Sequence, residues 1–129
     1  MSSIPVTAAT ALATAVAVVA AAPIASAKGG DRVRVAGVCT QSSTAKLKLS
    51  REDGRIEVEF EVDQNRNGVP WKVTLRRNGR LVASTTARTH APSGSFSVRR
   101  LIGGAPAANR VTAVATRSSG ERCTARAAF

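Results

Sequence analysis

Tyrosine is absent from this chain, tryptophan occurs once, and aromatic residues amount to 3% of the total. So few rings offer little base-stacking surface, and no recognised nucleic-acid motif is present, so nucleic acid is disfavoured as an evolved target. Histidine also occurs once, as His90 in the connection Thr89-His90-Ala91-Pro92-Ser93-Gly94. A lone loop histidine among serines is far more often a solvated side chain than a general base, and with two cysteines a His/Cys metal site lacks members. No glycine-rich loop leads from a strand into a helix, and no cofactor motif is found. These absences point to a protein that is not an enzyme, with no catalytic residues and no cofactor.

Charge is missing altogether from residues 1–27, MSSIPVTAATALATAVAVVAAAPIASA, which end in Ala25-Ser26-Ala27, the small-x-small pattern that signal peptidase accepts. A helical signal peptide is expected over 1–27, with Lys28 opening a mature domain over 28–129 that is secreted, extracellular or held at the cell envelope. The usual Lys or Arg ahead of the apolar run is missing, as it would be if the start lay inside a longer leader. The stretch is long enough to span a membrane uncleaved, but Ala partitions weakly into lipid, and Pro5 and Pro23 interrupt a helix there. No membrane attachment is expected after cleavage.

All 19 basic and 8 acidic side chains lie in residues 28–129, which therefore carry the whole formal charge of +11. A domain of that size folds with limited core burial, so a covalent tie helps. Cys39 and Cys123 lie near its opposite ends and are expected to pair in an exported chain. Closing so long a loop removes denatured-state entropy worth about 4 to 5 kcal/mol in the chain-entropy picture.

Short alternating apolar and polar runs recur at roughly ten-residue intervals with turn residues between them, as in a β-sandwich or barrel. Strands are expected over 32–39, 45–50, 55–63, 70–77, 80–87, 94–101, 109–117 and 121–128. Their inward parity collects Val33, Val35, Leu47, Leu49, Ile56, Val58, Phe60, Val62, Trp71, Val73, Leu75, Phe96 and Val98. A four-residue loop, Arg51-Glu52-Asp53-Gly54, would place Leu49 opposite Ile56, and Asn78-Gly79 would close the next hairpin with a bulge at Gly79 that brings Leu81 to the Leu75 face. Glu57, Glu59 and Glu61 then share one strand face. Lys48 and Lys46 are expected opposite Glu57 and Glu59, with Arg76 and Lys72 opposite Glu57 and Glu61 from the other side. Carboxylates so neutralised stay ionised and serve register, not catalysis.

Asp63, Asn65, Asn67 and Gly68 match the opening spacing of a calcium loop, making Asp63, Asn65 and Asn67 the one candidate metal set. The twelfth position is Thr74 where a bidentate Glu is required, and Arg66 opposes a divalent cation. The same residues are good turn formers, with Pro70 leading into the next strand. A turn without metal is the expectation.

The arginine surplus that remains would attract anionic polymers such as envelope phosphates or acidic polysaccharide, with steep salt dependence. Arg77, Arg80, Arg99 and Arg100 are the expected binding residues. High charge serves solubility equally well, with no ligand at all. A further alternative is a small inhibitor of a secreted enzyme such as a protease, presenting loop 63–70 or 88–94 rigidly.

Val33-Arg34-Val35 with Gly37 and Cys39, then Glu59-Phe60-Glu61-Val62-Asp63, Trp71 with Val73, Ala91-Pro92-Ser93-Gly94-Ser95-Phe96 leading to Val98-Arg99-Arg100, and the closing Cys123 together resemble small secreted actinobacterial proteins of unassigned function. The resemblance covers nearly all of residues 28–129. It implies an immunoglobulin-like, two-sheet antiparallel β-sandwich of seven to eight strands, and no activity. Cys39 and Cys123 stand in the first and last expected strands, so the Cys-Trp-Cys core of antibody domains is absent. The whole is expected to be a monomeric module binding an anionic envelope polymer or a secreted protein.

Overall fold

Val, Thr and Ile at alternating positions favour a pleated surface with one buried face, and the chain follows that pattern throughout. The structure, a computed structural model, describes residues 32–104 and 108–129 together with Ser3, Thr14, Ala25 and Ser26. The expected helical signal peptide lies outside the described residues apart from these last four. Two-residue β1 (Ala25–Ser26) precedes β2 (Arg32–Ala36), β3 (Val38–Cys39), β4 (Thr44–Glu52), β5 (Arg55–Asp63) and β6 (Pro70–Arg77). Then come β7 (Arg80–Arg88), β8 (Ser95–Gly103), β9 (Arg110–Thr116) and β10 (Arg122–Ala128). No helix occurs among the described residues.

The strands form a β-sandwich. One sheet runs β1-β10-β9-β6-β7, with β3 also on β10, and the other runs β2-β4-β5-β8. Every pairing is antiparallel except β1 on β10. Between the sheets lie Trp71, Phe60, Leu47, Leu49, Ile56 and Leu75, all at most 1% exposed. The Trp71 and Phe96 rings meet at 6.0 Å and 53°. Burying each large apolar side chain contributes about 1.5 to 3 kcal/mol. Of the expected inward set only Val35 stays partly exposed. The rest of the core is small: Val111, Ala113, Ala115, Ala125 and Ala127 from β9 and β10 face the bulky residues of the opposite sheet.

Four expectations about strands and turns are corrected. The first strand, expected unbroken over 32–39, divides at Gly37, so that β2 edges one sheet and Val38–Cys39 pairs with β10 of the other. A Cβ at Gly37 would lie 2.9 Å from the Ala45 Cβ and 3.0 Å from the Thr124 carbonyl oxygen, so the crossing needs glycine. The β4–β5 turn is two residues long. Asp53 and Gly54 both take positive φ (47° and 78°), the type I′ geometry that Asp-Gly favours, and Glu52 faces Arg55. Leu49 therefore faces Val58 instead of Ile56, a slip of two that leaves every side chain on its expected face. Asn78-Gly79 (φ 50° and 81°) is likewise a two-residue turn with Arg77 facing Arg80. The parity conflict is resolved further along, where the register shifts between Leu75 and Arg76. Ala83 then faces Leu75, while Leu81 is 50% exposed. Finally, β6 does not flank β5: the chain crosses to the other sheet through residues 64–69, and β8 takes that place.

Candidate functional site

The two outer sheet faces differ in charge. On the β2-β4-β5-β8 face, Arg34, Lys48, Glu59 and Arg99 stand in one cross-strand row, and Ala36, Lys46, Glu61 and Ser97 in the next. The glutamate stripe is thus met by Lys48 and Lys46 at Glu59 and Glu61, one step from the expected pairing, and from the other side by Arg99 in place of Arg76 and Lys72. Arg99 Nη2 lies 2.8 Å from Glu59 Oε2 and its Nε 3.4 Å from Glu57 Oε1. The hydrogen bond and charge of Glu59, with the charge of Glu57, raise the Arg99 guanidinium above its ordinary pKa. Cations and carboxylates on this face answer one another.

The β10-β9-β6-β7 face carries no carboxylate. Three cross-strand rows of outward residues span all four strands: Arg122–Thr116–Lys72–Thr86, Thr124–Val114–Thr74–Ser84, and Arg126–Thr112–Arg76–Leu81. Exposed Arg110, opposite Ala128, and Arg88, opposite Pro70, share their parity at the ends of the sheet, and Val38 of β3 extends the middle row beyond Thr124. Lys72, Arg76, Arg122 and Arg126 are exposed, and the hydroxyl-bearing Thr74, Thr112, Thr116 and Thr124 between them are half-buried. The reason lies in the sequence. After Asp63 the only acidic residue is Glu121, and β6, β7, β9 and β10 all come from that half of the chain. This asymmetry between halves was the available signal. Pairing strands in sequence order, with Lys72 and Arg76 spent on the glutamates, concealed it.

The four arginines expected to bind are not brought into one patch. Arg77 points along the inner parity of β6 and donates from Nη1 to the Gly103 carbonyl oxygen, tying the two sheets at one end. Arg80 faces it from β7. Arg99 belongs to the glutamates, and Arg100, opposite Val58 on the other parity of β8, donates to the Arg99 carbonyl oxygen at 2.8 Å.

Loops 63–70 and 88–94 do come together. Gln64 N–H donates to the Gly94 carbonyl (3.0 Å), Gly68 N–H to the Thr89 carbonyl (2.7 Å), Thr89 N–H to the Val69 carbonyl (2.9 Å), and Arg88 Nη1 to the Gly68 carbonyl (2.8 Å). Gly94, at φ 69°, packs so closely that a Cβ there would fall on the Arg66 backbone nitrogen. The peptide bond Ala91–Pro92 is cis. Asn65, Arg66, Asn67 and residues 90–93 are left exposed at the tip. Within this knuckle Asp63 Oδ1 accepts from Asn65 N–H at 3.0 Å, and Asn65 itself takes positive φ (58°), so the residues of the candidate metal set build a turn.

Cys39 and Cys123 are bonded across β3 and β10, with Cα atoms 4.0 Å apart. Beside them Glu121 is wholly buried. Its carboxylate accepts from Ser43 N–H (3.0 Å), Ser43 Oγ–H (2.8 Å) and Arg117 Nε (2.9 Å). Burial pushes the Glu121 carboxyl up, but the Ser43 hydrogen bonds and the Arg117 guanidinium outweigh it and hold the pKa below its ordinary value. Cys39, Glu121 and Cys123 form the one His/Cys/acid grouping with metal-ligand spacing among the described residues, and its sulfurs are joined to each other.

No family model matches the chain, and comparison with curated proteins and with solved structures yields no similar one.

Proposed function

We propose that this is an exported, non-enzymatic β-sandwich module that binds an anionic polymer of the cell envelope through the outer face of β10-β9-β6-β7. The observation that carries the reading is the carboxylate-free face holding Lys72, Arg76, Arg122 and Arg126 in two rows. Export is supported by the uncharged leader ending in Ala25-Ser26-Ala27 and by the disulfide. An immunoglobulin-like relationship rests on architecture, two packed antiparallel sheets. In immunoglobulin domains the second and third strands lie in different sheets, whereas β4 and β5 here form a hairpin within one.

The test is retention on an immobilised polyanion as salt is raised. The joint variant Lys72→Ser/Arg76→Ser/Arg122→Ser/Arg126→Ser should elute at much lower salt, its slope of log affinity against log salt shrinking by about one for each phosphate that it no longer neutralises. A charge-matched variant on the opposite sheet, Arg32→Ser/Arg34→Ser/Lys46→Ser/Lys48→Ser, should elute nearly as the parent. Equal shifts in both would mean that net charge alone is at work and would defeat the reading.

A second reading is favoured by one observation, the hydrogen-bonded knuckle of loops 63–70 and 88–94. A tip so braced on a disulfide-tied scaffold suits insertion into an enzyme's cleft, as a small secreted protease inhibitor requires. Binding of that kind should persist at high salt and be lost in Arg66→Ala.

A further inference from the structure

The same cationic face also carries information about what kind of polyanion fits it. We propose that its occupant is a linear chain of phosphates joined directly or through small acyclic spacers, lying along the strands; this rests on the assignment of that face to polymer binding.

Three of the four cations in the rows are arginines. Arg126 and Arg76 flank Thr112, and Arg122 and Lys72 flank Thr116, each pair separated by the intervening strand β9. With strands about 4.8 Å apart, each pair spans about 10 Å, within reach of two long side chains converging above one hydroxyl. An anion seated there meets a guanidinium fork from one side, a second cation from the other and a Thr hydroxyl from below. Phosphate, with its oxygens directed out of a single plane, can use all three together, whereas a carboxylate holds its lone pairs in one plane and cannot meet donors from both sides and from below with good geometry at once. The two seats lie four residues apart along the strands, about 13 Å, and the Thr124–Thr74–Ser84 hydroxyls bridge the interval. A flexible chain can thus occupy both seats in turn.

The spacer follows from what the face lacks. Trp71, Phe60 and Phe96 are buried in the core, and Phe129 lies 4.7 Å beneath the Arg51 guanidinium. No aromatic ring stands in the three rows, so neither a base nor a sugar face finds a stacking platform. Nor does an apolar side chain project from the middle of the face to enter a lipid layer: Leu81 and Val82 stand on the edge strand β7, Val38 stands on β3 at the opposite edge beside Thr124, and Val114 is half-buried between threonines.

Isothermal titration of the purified protein with charge-matched long-chain inorganic polyphosphate, heparin, poly-glutamate, an oligo-dT strand and phosphatidylglycerol vesicles tests this at fixed salt. Polyphosphate should bind at least tenfold more tightly than any of the others. Arg76→Lys/Arg122→Lys/Arg126→Lys, which keeps the charge, should abolish that preference, and Thr112→Val/Thr116→Val should weaken polyphosphate several-fold with an unchanged melting temperature. If polyphosphate and heparin bind equally and the charge-keeping variant behaves as the parent, the phosphate assignment fails while face-dependent polymer binding stands. Preference for oligo-dT or vesicles would overturn the acyclic-chain occupant. If the serine variant of the four cations binds every ligand as the parent does, the underlying face assignment falls as well.

Discussion

Glu121 shows how much one side chain can depend on its setting. It is the lone acid in a strongly basic half of the chain, fully buried, and it accepts three hydrogen bonds from Ser43 and Arg117. Arg117 in turn donates to Gln41 Oε1 at 3.0 Å and sits 5.6 Å over the Trp71 ring, so the carboxylate joins the loop before β4 to the β9–β10 hairpin. Removing one partner of a buried pair strands the other. Glu121→Gln should lower unfolding free energy by about 3 kcal/mol in urea denaturation at neutral pH. A carboxyl whose folded pKa lies below its unfolded value, about 4.3, adds stability at every pH above that value and loses it as pH falls through the folded pKa. Parent stability should therefore fall in acid, and the Gln variant should show a shallower acid limb. Equal limbs would remove Glu121 from the account. Nothing in the periodicity of 121–128 pointed to this residue; its isolation among cations was the one available hint.

At the scale of elements, what was legible was parity. Val33, Leu47, Ile56, Phe60, Trp71 and Phe96 are buried because a period of two leaves no other choice once a run is a strand. Turn lengths and neighbours were harder, because they depend on which φ a residue adopts and on which sheet receives the chain next. Asp53-Gly54 holds both positive-φ positions of a type I′ turn, so the loop contracts from four residues to two with no loss of parity. The β5-to-β6 crossing was hidden because 64–69 reads equally well as a hairpin loop. Alanines in β9 and β10 carry too weak a hydrophobic signal to mark them as core, though they fill it. Gly37 is where element geometry can be probed most sharply. Gly37→Ala would force the Ala45 side chain or the β10 backbone aside, and should cost about 1 to 3 kcal/mol by chemical denaturation. A neutral outcome would mean that the two sheets can separate at this corner without penalty.

For the molecule as a whole, the disulfide and the charge partition are the governing features. Cys39→Ala/Cys123→Ala should lower stability by about 2 to 5 kcal/mol, read from the denaturation midpoint, because the bond closes a separation of 84 residues. The intact mass of protein recovered from the medium of expressing cells should correspond to a start at Lys28 and be two hydrogens short of the fully reduced chain. A start before Lys28, or two free thiols, would count against export by the expected route. The charge partition follows from the topology. The six acids from Glu52 to Asp63 lie in or between β4 and β5, and Glu121 is consumed internally, so the β10-β9-β6-β7 face inherits uncancelled arginines.

The Cys39–Cys123 bond also decides how the molecule would carry a pull. Tension applied before residue 39 and after residue 123 runs through two sulfur atoms, so β2 and the end of β10 bear the load on their ladders to β4 and β9, and the chain between the sulfurs, residues 40–122, cannot be drawn out. Under shear those enclosed residues would stay short until a reductant arrives.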